Sequence, residues 1–213
     1  MRVAVFSVPD SDIIDFEVFY DYLCPFVYRA SVLLQNLGES GEHSLQVRWR
    51  YFSLTQVNSK DEGWTVWDAP ASDRVRGRGA FKAAEAARRQ GRFDEMHMPL
   101  LQARHRDRLD IDSVDVLEQV AIEAGLDLDR FRLDLAAEDI LAPLARDHRE
   151  AVSRHGVFGT PTFVFPDGAS AYVRLSEAPG VAESARVFGK LLSIAADEPR
   201  ILEIKRPVKP SPD

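Results

Sequence analysis

Cys24 is the one thiol in 213 residues. It stands in Tyr22-Leu23-Cys24-Pro25-Phe26-Val27, between a run that reads as a strand and a run that reads as a helix. A proline at the first helical position forfeits no hydrogen bond, so the sequence predicts Cys24 at the helix cap, with free backbone N–H groups and the positive end of the helix dipole aimed at its sulfur. Such a position favours thiolate, the form that attacks disulfides. The benefit is greater for Cys24 as a leaving group than as an attacker, because a stabilised thiolate is also a weaker nucleophile. The competing reading is a small inert core residue, which a single buried cysteine often is.

Other residues could do chemistry as well. Trp64 and Trp67 sit three residues apart in the irregular stretch Ser53 to Ser72. They either cover the apolar edge of the domain or form the wall of a pocket. Arg74 to Arg92 holds seven basic residues and one acidic residue. It reads as a solvated helix face or, if it faces Cys24, as a holder of carboxylates. Of the five histidines, only His97/His105 and His148/His155 fall near one another on a helical surface. Neither spacing is a compact ligand motif and there is no second thiol, so no metal site is expected.

These groups have to be positioned by the surrounding elements. Ile13 to Tyr20 is rich in β-branched and aromatic residues and predicts a strand. Phe26 to Leu37 carries apolar residues at helical spacing, with Gly38 as its expected stop. Leu45, Val47, Trp49 and Tyr51 alternate with Gln46, Arg48 and Arg50, the pattern of a strand with one buried face. Cys24 thus lies at the first turn of a βαβ unit. From Arg74 to about Ala142 the pattern is helical and broken by glycines, with no alternating segment. A helix from about Leu141 to His155 ends at Gly156. Thr162 to Phe165 and Ala171 to Leu175 then form a hairpin around Pro166-Asp167-Gly168, and Ala182 to Ala195 supplies a last helix before a proline-bearing tail.

The composition bounds the function. The chain is 45% hydrophobic, with 27 Lys and Arg against 34 Asp and Glu, a formal charge of -7 and a sequence pI near 5.3. That acidic balance argues against nucleic acid as the main partner. No apolar run approaches the length of a membrane span, and Val3-Ala4-Val5-Phe6 is too short for the core of a signal peptide. One cysteine makes no internal disulfide, so a cytoplasmic setting is expected.

The order of elements and two motifs, Phe19-Tyr20-Asp21-Tyr22-Leu23-Cys24-Pro25-Phe26 and Gly156-Val157-Phe158-Gly159-Thr160-Pro161-Thr162-Phe163, resemble the DsbA-like branch of the thioredoxin superfamily, closest in layout to its FrnE-type and 2-hydroxychromene-2-carboxylate isomerase-like members. The resemblance covers roughly residues 13 to 195. It implies an α/β thioredoxin fold with an inserted all-helical domain, divided as 13–72, an insertion over 73–140, a return over 141–196 and a tail over 197–213. It also implies Cys24 as the nucleophile, with Tyr22, Pro25, Phe26 and Val27 forming the active-site turn. Pro161 would be a cis-proline facing that turn, and Thr160, with Trp64 and Trp67, would contact substrate. Val27 stands where redox members of the family carry a second cysteine, so an intramolecular resolving step is absent. The expected activity is monothiol exchange with glutathione or an equivalent small thiol as co-substrate and no tightly bound cofactor. The alternatives are a glutathione-dependent isomerase or transferase of the kappa-class kind, and a redox-silent binding protein.

Overall fold

The computed structural model describes residues 13–41 and 44–206. The Val3-Ala4-Val5-Phe6 segment and Pro207, Pro210 and Pro212 of the tail lie outside the described residues. Strand β1 (Ile13–Tyr20), helix α1 (Pro25–Ser40) and strand β2 (Ser44–Tyr51) form the first unit, with β1 and β2 parallel. A short helix α2 (Leu54–Val57) follows. The helices α3 (Arg78–Arg89), α4 (Phe93–His105), α5 (Val114–Glu123) and α6 (Leu128–Ala136) come next, and then α7 (Ala142–His155). Strands β3 (Thr162–Val164) and β4 (Ser170–Tyr172) form an antiparallel hairpin, and α8 (Val181–Ala195) closes the order. The sheet runs β2-β1-β3-β4, with β3 antiparallel to β1.

Period-2 alternation assigns the faces of the sheet. Phe16 and Val18 of β1 pack with Leu33, Leu37, Phe163 and Phe188 under α1 and α8. Phe19 points to the opposite face and packs with Phe52, Ala151 and Val164 against α7. Arg48 and Arg50 share that second face, as the alternation requires, but the face is not open to water throughout. Arg50 is clasped by Glu17, Asp147 and Glu150 at 3.0, 3.2 and 2.6 Å, so α7 covers the polar side of β2 through ion pairs rather than apolar contact.

Four boundaries differ from those expected. Gly38 lies inside α1, and the helix stops at Gly41, whose φ of 68° is the left-handed cap. An interior glycine costs only about 1 kcal/mol, and Leu34 and Leu37, both buried, hold the last turns in place. The stretch after β2 is not wholly irregular, because the Ser53 hydroxyl accepts from the Gln56 N–H at 3.2 Å and caps α2. Strand β3 ends at Val164 rather than Phe165, where the Pro166-Asp167-Gly168 turn begins. Strand β4 is three residues long rather than five, although Val173 N–H still donates to the Pro161 carbonyl at 3.0 Å.

The largest core cluster joins the first unit to the helical block, and a buried polar chain runs through it. The Tyr22 hydroxyl meets His97 Nδ1 at 3.2 Å, and the Ser31 hydroxyl meets Nε2 at 3.3 Å. Trp49, Phe93 and Tyr20 pack around the imidazole. Burial, aided by the charge on Arg88, pushes His97 down to about 3. The unfolded chain takes up a proton there below pH 6.5 and the native chain does not, so stability is full above pH 6.5 and is lost as pH falls toward 3. Between pH 6.5 and 4 the wild-type unfolding free energy should therefore fall by about 3 kcal/mol more than that of His97→Gln. Urea denaturation at each pH checks this, and other titrating groups common to both proteins cancel. Parallel acid profiles would overturn it.

Candidate active site

The turn between β1 and α1 is tied down before the thiol is reached. Asp21, fully buried, accepts from Leu23 N–H at 2.7 Å through one carboxylate oxygen and from Leu54 N–H at 2.6 Å through the other. Its backbone carbonyl accepts from Cys24 N–H at 3.0 Å. Burial pushes the Asp21 carboxyl up to about 6 against the lowering effect of those two N–H donors. Tyr22 is held at both ends. Its hydroxyl meets His97, and its carbonyl accepts from His105 Nε2 at 2.9 Å, which fixes the proton of His105 on that nitrogen. His105 stacks on Tyr28 of α1 at 5.7 Å, and burial holds it below the usual histidine range.

Cys24 takes the cap position of α1, with extended backbone angles and Pro25 following. Its carbonyl receives the Val27 N–H at 3.1 Å. The sulfur does not sit over the helix N–H groups as the cap position suggests. Instead Sγ–H donates to the Thr160 carbonyl at 3.1 Å, because the extended conformation sends the side chain toward the loop that precedes β3. The Thr160–Pro161 peptide bond is cis. The sulfur is also more covered than a thiol at the mouth of a turn would be: Cys24 is 5% exposed and packs in one cluster with Tyr20, Tyr22 and Val27. Val27 is fully buried.

Thr160 and Pro161 are buried, and the Thr160 hydroxyl has no hydrogen-bond partner among the described residues. Thr162 Oγ1 donates to the Gly159 carbonyl at 2.8 Å, which ties the loop to β3. Gly159 lets the Tyr172 ring pack closely on the loop: a Cβ there would lie 3.1 Å from that ring. Tyr172 and the exposed Phe158 meet edge to face at 5.1 Å, and burial holds the Tyr172 hydroxyl above its ordinary range against the lowering effect of Arg174. Phe26 lies beneath the guanidinium of Arg174, 4.2 Å from the ring centre, and beneath that of Arg29 at 5.2 Å. The surroundings of Cys24 are therefore aromatic and cationic.

The structure brings Cys24, Thr160 and Pro161 together across 136 residues of chain. Pro25 is exposed and starts the helix. The two tryptophans have other packing partners. Trp67 lies on His148 at 5.4 Å and beneath Arg149 of α7, and Trp64 packs at the edge of the cluster that contains Cys24. Three contributors were not singled out from the sequence: Asp21, Tyr172 and Arg174. Asp21 carried a local signal, an aspartate two residues ahead of an N–H at a strand end. Tyr172 and Arg174 carried none, since only the hairpin brings them to the turn.

A βαβ unit and a ββα unit around one four-stranded sheet, separated by helices and joined at a cysteine and a cis-proline, define a thioredoxin-like fold with a helical insertion. The chain belongs to the DSBA-like thioredoxin domain family, whose family model matches residues 15–186. Among solved structures it is similar to a thioredoxin-like oxidoreductase from Silicibacter pomeroyi (24% identity, 85% of this chain and 89% of that one, TM-score 0.56). It is also similar to the cytosolic disulfide reductase DsbM from Pseudomonas aeruginosa solved with GSH (21% identity, 84% and 99%, TM-score 0.57). A curated relative, the Na(+)/H(+) antiporter NhaA 3 of Salinispora tropica, is 34% identical over 143 residues, which are 67% of this chain and 18% of that protein. The chain thus spans under a fifth of the length of that relative.

Because Asp21 alone satisfies the Leu23 and Leu54 N–H groups through its side chain, Asp21→Ala should destabilise the protein by about 2–4 kcal/mol at pH 7. Denaturant unfolding measures the loss, and a change under about 0.5 kcal/mol would show that water replaces the carboxylate without cost.

Proposed function

We propose that the protein is a thiol–disulfide oxidoreductase acting through Cys24 alone, with a small external thiol as co-substrate. The observation that carries this reading is the 3.1 Å approach of Cys24 Sγ to the carbonyl of the residue before the cis-proline. A substrate sulfur arriving at Cys24 would lie beside the Thr160 backbone, whose carbonyl already meets the Cys24 sulfur. In the first step the Cys24 thiolate attacks one sulfur of a substrate disulfide, forming a Cys24–substrate disulfide and expelling the other half as a thiolate. In the second, an external thiolate attacks the substrate sulfur of that mixed disulfide, and Cys24 leaves with the bond's electron pair. Two electrons pass from the external thiols to the substrate disulfide once a second external thiol has cleared the first, and the protein returns unchanged.

The single cysteine supports the external thiol, since Val27 offers no sulfur for resolution. Glutathione is the natural candidate, being the molecule with which a structural relative was solved, and a thiol-rich compartment such as the cytoplasm suits such a cycle. Within the family, the motif order favours the FrnE-type layout and the residue 73–140 block as the insertion. Among the described residues no helix is long and apolar enough to cross a membrane. We read Trp64 and Trp67 as cover for the apolar cluster rather than as substrate contacts.

Protein purified without reductant and treated with glutathione disulfide should gain one glutathione per chain on Cys24, visible by intact mass and removed by excess thiol. Cys24→Ser should gain none and should lose at least about 100-fold in glutathione-coupled disulfide reduction. An unmodified wild-type mass would sink the exchange reading. Reversible glutathione binding without an adduct would favour the isomerase or transferase alternative.

A further inference from the structure

The proposed exchange leaves unused a cleft of about 430 Å³ beside the same turn. Leu23, next to Cys24 in the chain, forms one wall, and Arg74, Arg76, Arg104, Arg108, Asp110, Ile111 and Asp112 complete it. Four guanidinium groups and two carboxylates do not cancel here. Asp110 is taken by Arg74 at 2.7 Å. Asp112 is taken by backbone: its two oxygens accept from Gly77 and Gly79 N–H, each at 2.7 Å, at the start of α3. Arg76, Arg104 and Arg108 make no ion pair among the described residues. This contrasts with the rest of the basic stretch, where Arg78 is spent on the carbonyls of Ala69, Pro70 and Asp73, and Arg89 and Arg92 are paired with Asp139 and Glu95.

Arg108 adds a second observation. Its φ of 59° makes it the only residue other than glycine with a left-handed backbone among those described. Glycine is the residue that takes this conformation without cost, and a long charged side chain there costs roughly 1 kcal/mol or more. The cleft nonetheless carries arginine at that place.

Resting on the exchange proposed above, we infer that Arg76, Arg104 and Arg108 form an anion subsite that takes the carboxylates of a multiply carboxylated thiol or disulfide whose sulfur reaches Cys24. Leu23 is the link between the two: it lines the cleft and immediately precedes Cys24, its Cα about 3.8 Å from that of the cysteine. Guanidinium groups bind carboxylates in paired hydrogen bonds and stay charged at every working pH, which suits capture of an acidic peptide thiol by an otherwise acidic protein. The subsite would select substrates by charge while the turn acts on sulfur.

The probe is glutathione disulfide, titrated calorimetrically into Cys24→Ser, in which no exchange can occur. Binding should weaken at least about tenfold in the Cys24→Ser background on adding Arg76→Gln with Arg108→Gln. It should change less than about twofold on adding Arg106→Gln, which removes a neighbouring arginine whose partner is Asp107. Raising salt from about 20 to about 500 mM, which shortens the screening length from about 20 Å to about 4 Å, should also weaken it. Arg108→Gly guards against a folding artefact, because it removes the guanidinium and relieves the backbone: it should weaken binding with an unchanged or raised thermal midpoint. Absence of binding, equal affinity in the double variant, or equal loss with Arg106→Gln would overturn the subsite. Its failure is separable from that of the exchange. Arginine-dependent binding with no adduct on wild-type Cys24 sinks the exchange alone, whereas an adduct formed equally well by the double arginine variant sinks the subsite alone.

Discussion

The site depends on the antiparallel register of β1 against β3. Phe19 faces Thr162, Val18 faces Phe163 and Glu17 faces Val164, so the end of the strand that delivers the cysteine meets the start of the strand that follows the cis-proline. Side chains alternate along a strand, and one residue of slip would turn Phe163 from the α1 and α8 face to the α7 face. It would also carry the Thr160 carbonyl about 3.3 Å along the sheet, more than the whole distance that now separates it from Sγ. The aromatic contacts of Phe16 with Phe163, Phe165 and Phe188 hold that register from within the core.

The helical block is part of this arrangement rather than an appendage to it. His105 at the end of α4 grips the carbonyl of Tyr22, and His97 in the same helix grips the hydroxyl. Gly77, with a φ of 81°, lies so close to Leu23 that a Cβ would come within 2.9 Å of that side chain. Three of the four residues leading to the thiol, Asp21, Tyr22 and Leu23, are thus set by contacts from outside the βαβ unit.

Much of this was legible in the chain and some was not, for physical reasons. The strands from Ile13 and Leu45 declare themselves because one face of each is apolar and alternation is strict. The helix after Pro25 does so because Pro25 and the absence of any breaker up to Leu37 leave little else. The stop at Gly41 was hidden behind Gly38, since composition shows where a helix can end and tertiary packing decides where it does. The direction of the Cys24 side chain was also out of reach: a cap residue can turn its sulfur to the helix or away, and the choice follows from a loop 136 residues downstream. The fate of the basic stretch had the same character, because pairing of Arg89 with Asp139, or of Arg74 with Asp110, joins segments that no local pattern relates.

Val27 draws one more consequence from the packing. It is wholly enclosed, one helical turn from Cys24, and carries no sulfur. Within these 213 residues any disulfide made by Cys24 must join two molecules, so its decay is second order and its lifetime is dictated by the surrounding thiol pool rather than by the fold. Such an adduct would act as a clock wound by its environment, persisting when free thiol is scarce and vanishing when it is abundant.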